Sequence, residues 1–205
     1  MPTAATAAPP SSPTGSDRVA PALARVGALV PPALRRRWPT ALAVAFAVVQ
    51  GGVDVTTAGQ LLPVLPLVYV AVVVARRPQA TWPVLLLASV VFGALQAQDV
   101  VDPVLGVTAV ATAVALGGAL RPGPGGRAGL TRQVVGYVVF AGAAAVGLAA
   151  APEVARWVLA AGWLAHGAWD LVHLRRREAV SRSYAEWCAV LDVLVAGTLV
   201  AGAWS

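Results

Sequence analysis

The side chains best suited to chemistry lie close together near the end of the chain. His166, Asp170 and His173 are separated by four and then three residues, so a helix places all three on one face. Cys188 and Asp192, four residues apart, share a face of the next predicted helix. Imidazole and carboxylate groups bind zinc, and imidazole exchanges protons near neutral pH. We therefore expect a functional site in this region.

Three functions are compatible with this set of residues. In a metal-dependent membrane hydrolase, the site would supply three or four ligands to zinc and leave a position open for an attacking water. The metal ligands would be His166, Asp170, His173 and Asp192. His166 and Asp170 would then be the catalytic residues.

The other two functions need no metal ion. In a small-molecule or proton-coupled carrier, His166 and the two aspartates would exchange charge, and polar residues would continue across the bundle toward Gln50 and Gln96. In a structural or interaction protein without catalysis, the same groups would bond to one another and lock two helices together. The residues alone do not decide whether the protein is an enzyme.

The two site-bearing segments are joined by a short connection, which favours antiparallel packing of neighbouring helices. At equal depth, His166 would face Asp192, and Asp170 would lie near Cys188. We do not expect Cys188 to act as a nucleophile, because a single cysteine among apolar residues is usually inert.

The composition indicates that membrane-spanning helices position these residues. The chain has 205 residues, of which 58% are hydrophobic and 12% charged, and its mean hydropathy is +0.74. Soluble domains carry about 25% charged residues, and a span needs about 20 apolar residues. We expect an all-α, polytopic bundle of about seven transmembrane helices.

The predicted spans are 38–54, 58–75, 79–98, 103–120, 133–150, 153–174 and 184–204. Pro63 and Pro66 should kink the second span.

The distribution of arginine predicts the orientation. All 15 basic residues are arginines, and most of them gather before the first span and in alternate connections between the spans; Arg156 is the one exception, near the arginine-poor end of the sixth span. The connections between them carry aspartates and Glu153 instead. Under the positive-inside rule, this places the N-terminus in the cytoplasm and the C-terminus outside the cell membrane. The net charge of +6 is accounted for by these clusters, so we expect a lipid bilayer as partner and no nucleic acid.

The chain divides into two parts. Residues 1–34 are rich in Pro, Ala and Ser and are predicted to form a disordered cytoplasmic tail. Residues 35–205 are predicted to form the transmembrane domain.

The predicted topology and the depth of the site resemble those of the zinc membrane hydrolases that include the alkaline ceramidases and the adiponectin-type receptors. Those families use three histidines, among them an H-x3-H pair near the end of the chain, with an aspartate and a serine from earlier spans. Here H-x3-D-x2-H, from His166 to His173, stands in place of that pair, and there is no third histidine. The resemblance covers topology and site depth, and it implies a zinc cofactor.

Overall fold

The computed structural model describes residues 36–98, 100–121 and 126–202, and this part of the chain is helical throughout, without strands. The helices are α1 (Trp38–Gln50), α2 (Val55–Leu61), α3 (Val64–Ala75), α4 (Thr81–Gln96), α5 (Pro103–Leu120), α6 (Gly126–Ala149), α7 (Pro152–Arg176) and α8 (Arg182–Ala201), with a 3-10 turn at Pro78–Ala80. The predicted tail, 1–34, lies outside the described residues. The all-α prediction is confirmed for the described part.

Five segments are long and apolar enough to cross a bilayer. They are Val55–Ala75, Pro78–Gln96, Pro103–Leu120, Ala128–Ala149 and Arg182–Ala201, with mean hydropathies between 1.5 and 2.1. Two further predicted spans differ from these. Helix α1 is apolar but has only 13 residues. Helix α7 has 25 residues, yet its His, Asp, Glu and Arg side chains make it too polar to qualify by the same measure.

The predicted kink in the second span is confirmed as a break between α2 and α3. Proline has no backbone N–H and its ring clashes with the preceding turn, so Pro63 and Pro66 interrupt the helix after Leu61. At the other end of α2, Asp54 is the N-cap. Its carboxylate accepts the backbone N–H of Thr57 at 3.0 Å and the Thr57 hydroxyl at 2.6 Å.

Helices α7 and α8 form the most extensive helix pair in the described part of the chain, as their short connection predicts. The turn between them is tight because Arg177 and Ala179 adopt left-handed backbone conformations, with φ of 54° and 68°. Ser181 then caps α8 by accepting the N–H of Tyr184. The two helices approach so closely that a Cβ added to Gly167 would lie 3.2 Å from the Cβ of Asp192.

The core lies where α3, α6, α7 and α8 meet. Val68 and Tyr69 of α3, Leu159 of α7 and Cys188 of α8 are all completely buried. On the faces of the helices that turn away from this core, by contrast, large apolar side chains remain exposed. Examples are Leu86 on α4, Leu116 on α5 and Val139 on α6. Apolar surface of this extent needs a cover such as lipid, and this supports a membrane protein.

Candidate functional site

The candidate site begins on the inner face of α7. His166 and Asp170 are fully buried and His173 is 2% exposed, so the helical spacing places the three on one inward face as predicted. Each turn of the helix therefore directs one titratable side chain into the core rather than toward the surface.

Helix α8 completes the group with Asp192. Its Oδ2 lies 2.8 Å from Nδ1 of His166, and Oδ2 of Asp170 lies 3.3 Å from the same nitrogen. One ligand atom from each of the three residues lies within 4.8 Å of the others. The predicted contact between His166 and Asp192 is therefore present, and we call these three residues the centre.

A third helix reaches the centre through Tyr69, which the sequence did not point to. The Tyr69 hydroxyl donates a hydrogen bond to Oδ1 of Asp170, and both side chains are completely buried. The Tyr69 ring also meets the rings of His166 and His173 edge to face, at centroid distances of 6.1 and 4.8 Å. One signal was available: Tyr69 is the only polar side chain in the sequence of α3.

Each residue of the centre keeps one buried polar atom without a hydrogen-bond partner. These atoms are Nε2 of His166, Oδ2 of Asp170 and Oδ1 of Asp192. Oδ2 of Asp170 is near the Nδ1 of His166, but that nitrogen makes its hydrogen bond to Asp192. A buried polar atom without a partner costs about 1–3 kcal/mol. The three residues of the centre thus keep acceptor capacity that no hydrogen bond uses.

His173 does not join the centre, although the sequence placed it among the metal ligands. Its Nδ1 bonds to the Trp169 carbonyl at 2.9 Å, so its Nε2 is the acceptor for the Gln133 amide at 3.2 Å. Seven residues along a helix correspond to about 10 Å of axial rise, so a shared face does not bring His173 and His166 to one ion. His166 and Asp170, only one turn apart, can share one.

Cys188 also lies outside the centre. It is a free and completely buried thiol on α8. Its sulfur is not among the grouped ligand atoms. The centre therefore offers nitrogen and oxygen ligands without sulfur.

The centre is closed in this conformation. An apolar groove with a volume of about 440 Å³ lies between α5 and α6, and it is lined by Val70, Thr108 and Tyr137 among others. Neither this groove nor the two other cavities noted in the described part of the chain is lined by a residue of the centre. A substrate would therefore need a rearrangement of the helices to reach His166.

Polar residues do not continue from the centre toward the opposite end of the bundle. Leu62, Leu159 and Trp163 are buried on that side, and the Trp163 indole N–H donates to the carbonyl of Ala58. Gln96 bonds to Gln60 at 2.9 Å near the surface. The polar path that a carrier would need toward Gln50 and Gln96 is therefore not formed among the described residues.

No protein-family model matches the chain, and neither a curated protein nor a solved structure shows significant similarity to it.

Proposed function

We propose that this chain is a multi-pass membrane protein that binds a divalent metal ion inside its helical bundle, with His166, Asp170 and Asp192 as ligands. One observation carries the proposal: three ligand atoms lie within 4.8 Å of one another, and each residue also has a buried polar atom without a partner. A metal ion would bring these acceptors into use.

The charge of the centre supports a divalent ion. Two carboxylates and a neutral imidazole carry a charge of −2, which is costly inside a bundle of apolar helices. No arginine among the described residues forms an ion pair with Asp170 or Asp192. One divalent ion balances the two carboxylates, and binding requires the ligands to give up their protons.

The ligand types indicate which ions would bind. A nitrogen and oxygen set without thiolate suits zinc and other first-row divalent ions better than soft ions such as Cu(I). Three protein ligands leave a fourth position of a tetrahedral zinc ion for water, as in catalytic zinc sites. This is the arrangement that hydrolysis would use, with His166 and Asp170 at the reacting water. A hydrolase would in addition need the centre to open toward lipid or water.

A second candidate is a structural network without metal. It is favoured by the bonds that tie three helices together: His166 to Asp192 joins α7 to α8, and Tyr69 to Asp170 joins α3 to α7. In this case protons, shared among the imidazole and the carboxylates, would balance the charge. A carrier has less support, since the centre does not connect to the polar residues at the far end of the bundle.

The proposal includes a topology. We propose seven spans in the cell membrane, with the N-terminus in the cytoplasm and the C-terminus outside. What supports this is the arginine asymmetry between alternate connections and the five long apolar helices. Helix α7 would cross as a sixth long span because the polar side chains in its inner half, His166, Asp170 and His173, are buried in the core, where α6 and α8 pack against α7 and Tyr69 of α3 bonds to Asp170.

Metal content of the purified protein tests the proposal. We expect about one zinc or other first-row divalent ion per chain by mass spectrometry of the wild type, and loss of the ion in Asp192→Asn, because an amide is a poorer ligand than a carboxylate. His173→Gln is the matched control: it removes a buried histidine from the same face of α7 but outside the centre, and it should keep the ion. If the wild type contains no metal, or if Asp192→Asn contains as much metal as the wild type, the metal centre is contradicted and the structural network remains as the candidate function.

A further inference from the structure

We infer that Tyr69 is a positioning residue of the proposed metal centre: its hydroxyl fixes the Asp170 carboxylate so that Oδ2 is turned toward His166 and Asp192. This inference rests on the proposed function, and it adds a third helix, α3, to the two that supply ligands. Tyr69 does not touch the ion, because its hydroxyl is engaged by the other oxygen of Asp170.

The two oxygens of Asp170 have different surroundings. Oδ1 accepts the Tyr69 hydroxyl, whereas Oδ2 lies 3.3 Å from Nδ1 of His166 and has no hydrogen bond. The two oxygens of a carboxylate are equivalent, so a half-turn about the Cβ–Cγ bond changes nothing, but a smaller rotation moves both oxygens. The Tyr69 hydrogen bond opposes such smaller rotations, because they would lengthen or bend its contact with Oδ1, and it thereby also fixes the position of Oδ2.

Tyr69 is itself held in place from several sides. Its ring meets His173 at 4.8 Å, Tyr184 at 5.9 Å and His166 at 6.1 Å, measured between ring centroids. It is completely buried, and so is its neighbour Val68 on α3. A hydroxyl on a fixed ring is a better orienting group than one on a mobile side chain, since less conformational freedom is lost when the ion binds.

Hydrogen bonds to the ligands of a metal ion have a known effect. Groups that bond to ligating carboxylates and imidazoles orient them, and their removal typically lowers metal affinity by about 10–100-fold. In this chain the Tyr69 hydroxyl is the group that occupies that role for Asp170. We therefore expect metal affinity to depend on a residue about 100 positions before the ligand, on a different helix.

The test is a Co²⁺ titration of the purified full-length protein in detergent, followed by visible absorption, for the wild type, Tyr69→Phe and Tyr184→Phe. Tyr184→Phe is the matched control: it is also a completely buried tyrosine in the same aromatic cluster, but its hydroxyl faces the Leu65 carbonyl at 3.5 Å. We expect Tyr69→Phe to weaken Co²⁺ binding by about 10–100-fold and to change the absorption bands of the bound ion. Tyr184→Phe should keep both the affinity and the spectrum of the wild type.

Thermal unfolding of the three apo proteins separates positioning from stability. Both variants lose one buried hydroxyl, so a general loss of packing would affect them alike, whereas the effect on Co²⁺ should appear in Tyr69→Phe alone. Equal affinity and equal spectra for Tyr69→Phe and the wild type would overturn the inference and leave the metal centre standing. A wild type that binds no Co²⁺ would overturn both. Equal weakening in the two variants would also overturn the inference, because it would show that general packing is responsible.

Discussion

Asp170 has two roles at the scale of single residues, and the two oxygens of its carboxylate divide them. Oδ1 bonds to Tyr69 and ties α7 to α3, while Oδ2 faces His166 inside the centre. The first role needs only an acceptor, whereas the second needs a negative charge if the centre holds a metal ion. A substitution that keeps the acceptor and removes the charge therefore distinguishes the two.

Asp170→Asn is that substitution. Its amide carbonyl can still accept the Tyr69 hydroxyl, so the protein should fold, and its melting temperature should stay near that of the metal-free wild type. Metal content should fall to near zero, because an amide oxygen is a weaker ligand and supplies no charge. Parallel measurements of melting temperature and bound metal check this. Full metal occupancy in a well-folded Asp170→Asn protein would contradict a ligand role for Asp170.

Part of the centre could be predicted from sequence, and the reason is local geometry. His166 and Asp170 share a face because of helical spacing, and the short connection to α8 brings Asp192 alongside. Tyr69 lies 101 residues before Asp170, and nothing local decides which face of α3 turns toward α7. His173 lies apart from the centre because of its distance from His166 along the helix axis. A helical wheel shows which residues share a face, but it does not show this distance.

At the scale of helices, the close approach of α7 and α8 depends on Gly167. A Cβ there would lie 3.2 Å from the Cβ of Asp192 and 3.5 Å from the Ala189 carbonyl oxygen, neither of which is the mobile end of a side chain. The 3.2 Å contact is tight, so the helices would have to separate by a few tenths of an ångström there, and this would strain the bond from His166 to Asp192. The position thus couples helix packing to the geometry of the centre.

We expect Gly167→Ala to destabilise the protein by about 1–3 kcal/mol, as overpacking of a close-packed core does, and to lower its metal content. Gly142→Ala on α6 is the control, since a Cβ there meets nothing within 4 Å. Without a packing cost, that change should be neutral or stabilise the helix by up to about 1 kcal/mol. Thermal unfolding and metal content of both variants check the prediction. A Gly167→Ala protein as stable as Gly142→Ala would contradict the close contact.

The start of α2 offers a second prediction at this scale. Asp54→Ala should lower stability by about 0.5–2 kcal/mol at neutral pH through loss of the N-cap. Hydrogen bonds from Thr57 lower the pKa of the Asp54 carboxyl below its ordinary value of 3.8. The stabilisation that the charged Asp54 carboxylate provides is therefore fully present above the pKa that this group has in the unfolded chain. It is lost as the pH falls through the pKa of Asp54 in the folded protein.

The difference in melting temperature between the wild type and Asp54→Ala should accordingly be largest near pH 7 and shrink in strong acid. Differential scanning fluorimetry across that range measures it. A difference that stays constant below pH 3 would show that the cap does not depend on the charge of the carboxylate.

At the scale of the whole molecule, the described helices enclose one small polar centre in a largely apolar core, and they expose large apolar side chains on their outer faces. Sequence patterns predicted most helix bounds within a few residues and the break at Pro63 and Pro66, because these follow from hydrophobic runs and the missing proline N–H. Helix α6 is an exception, since it begins at Gly126 and not at the predicted Gln133. They predicted α7 as a span of the same kind as the others. In the structure α7 differs, since it carries the polar groups and lies against α6 and α8.

The proposed topology predicts the accessibility of labels on either side of the membrane. In intact cells, cysteines at positions 10 and 125 should resist a membrane-impermeant thiol reagent, and one at position 205 should react. Cys188 serves as an internal negative control, because it is completely buried and should not react in any variant. If the cysteine at position 205 reacts only after cell lysis, the orientation is the reverse of the proposed one or the number of spans is smaller.

The polarity of α7 has a consequence for biosynthesis. With His166, Asp170 and several arginines, α7 would partition poorly into lipid if the translocon released it by itself, since each aspartate at mid-span costs about 2.5–3.5 kcal/mol. Helix α8 is apolar enough to insert independently, and it follows α7 after five residues, Arg177 to Ser181. The ribosome therefore supplies α8 soon after α7, and the two can leave the translocon as a hairpin with His166 already against Asp192. Helix α8 would in this way act as the membrane-insertion partner of α7.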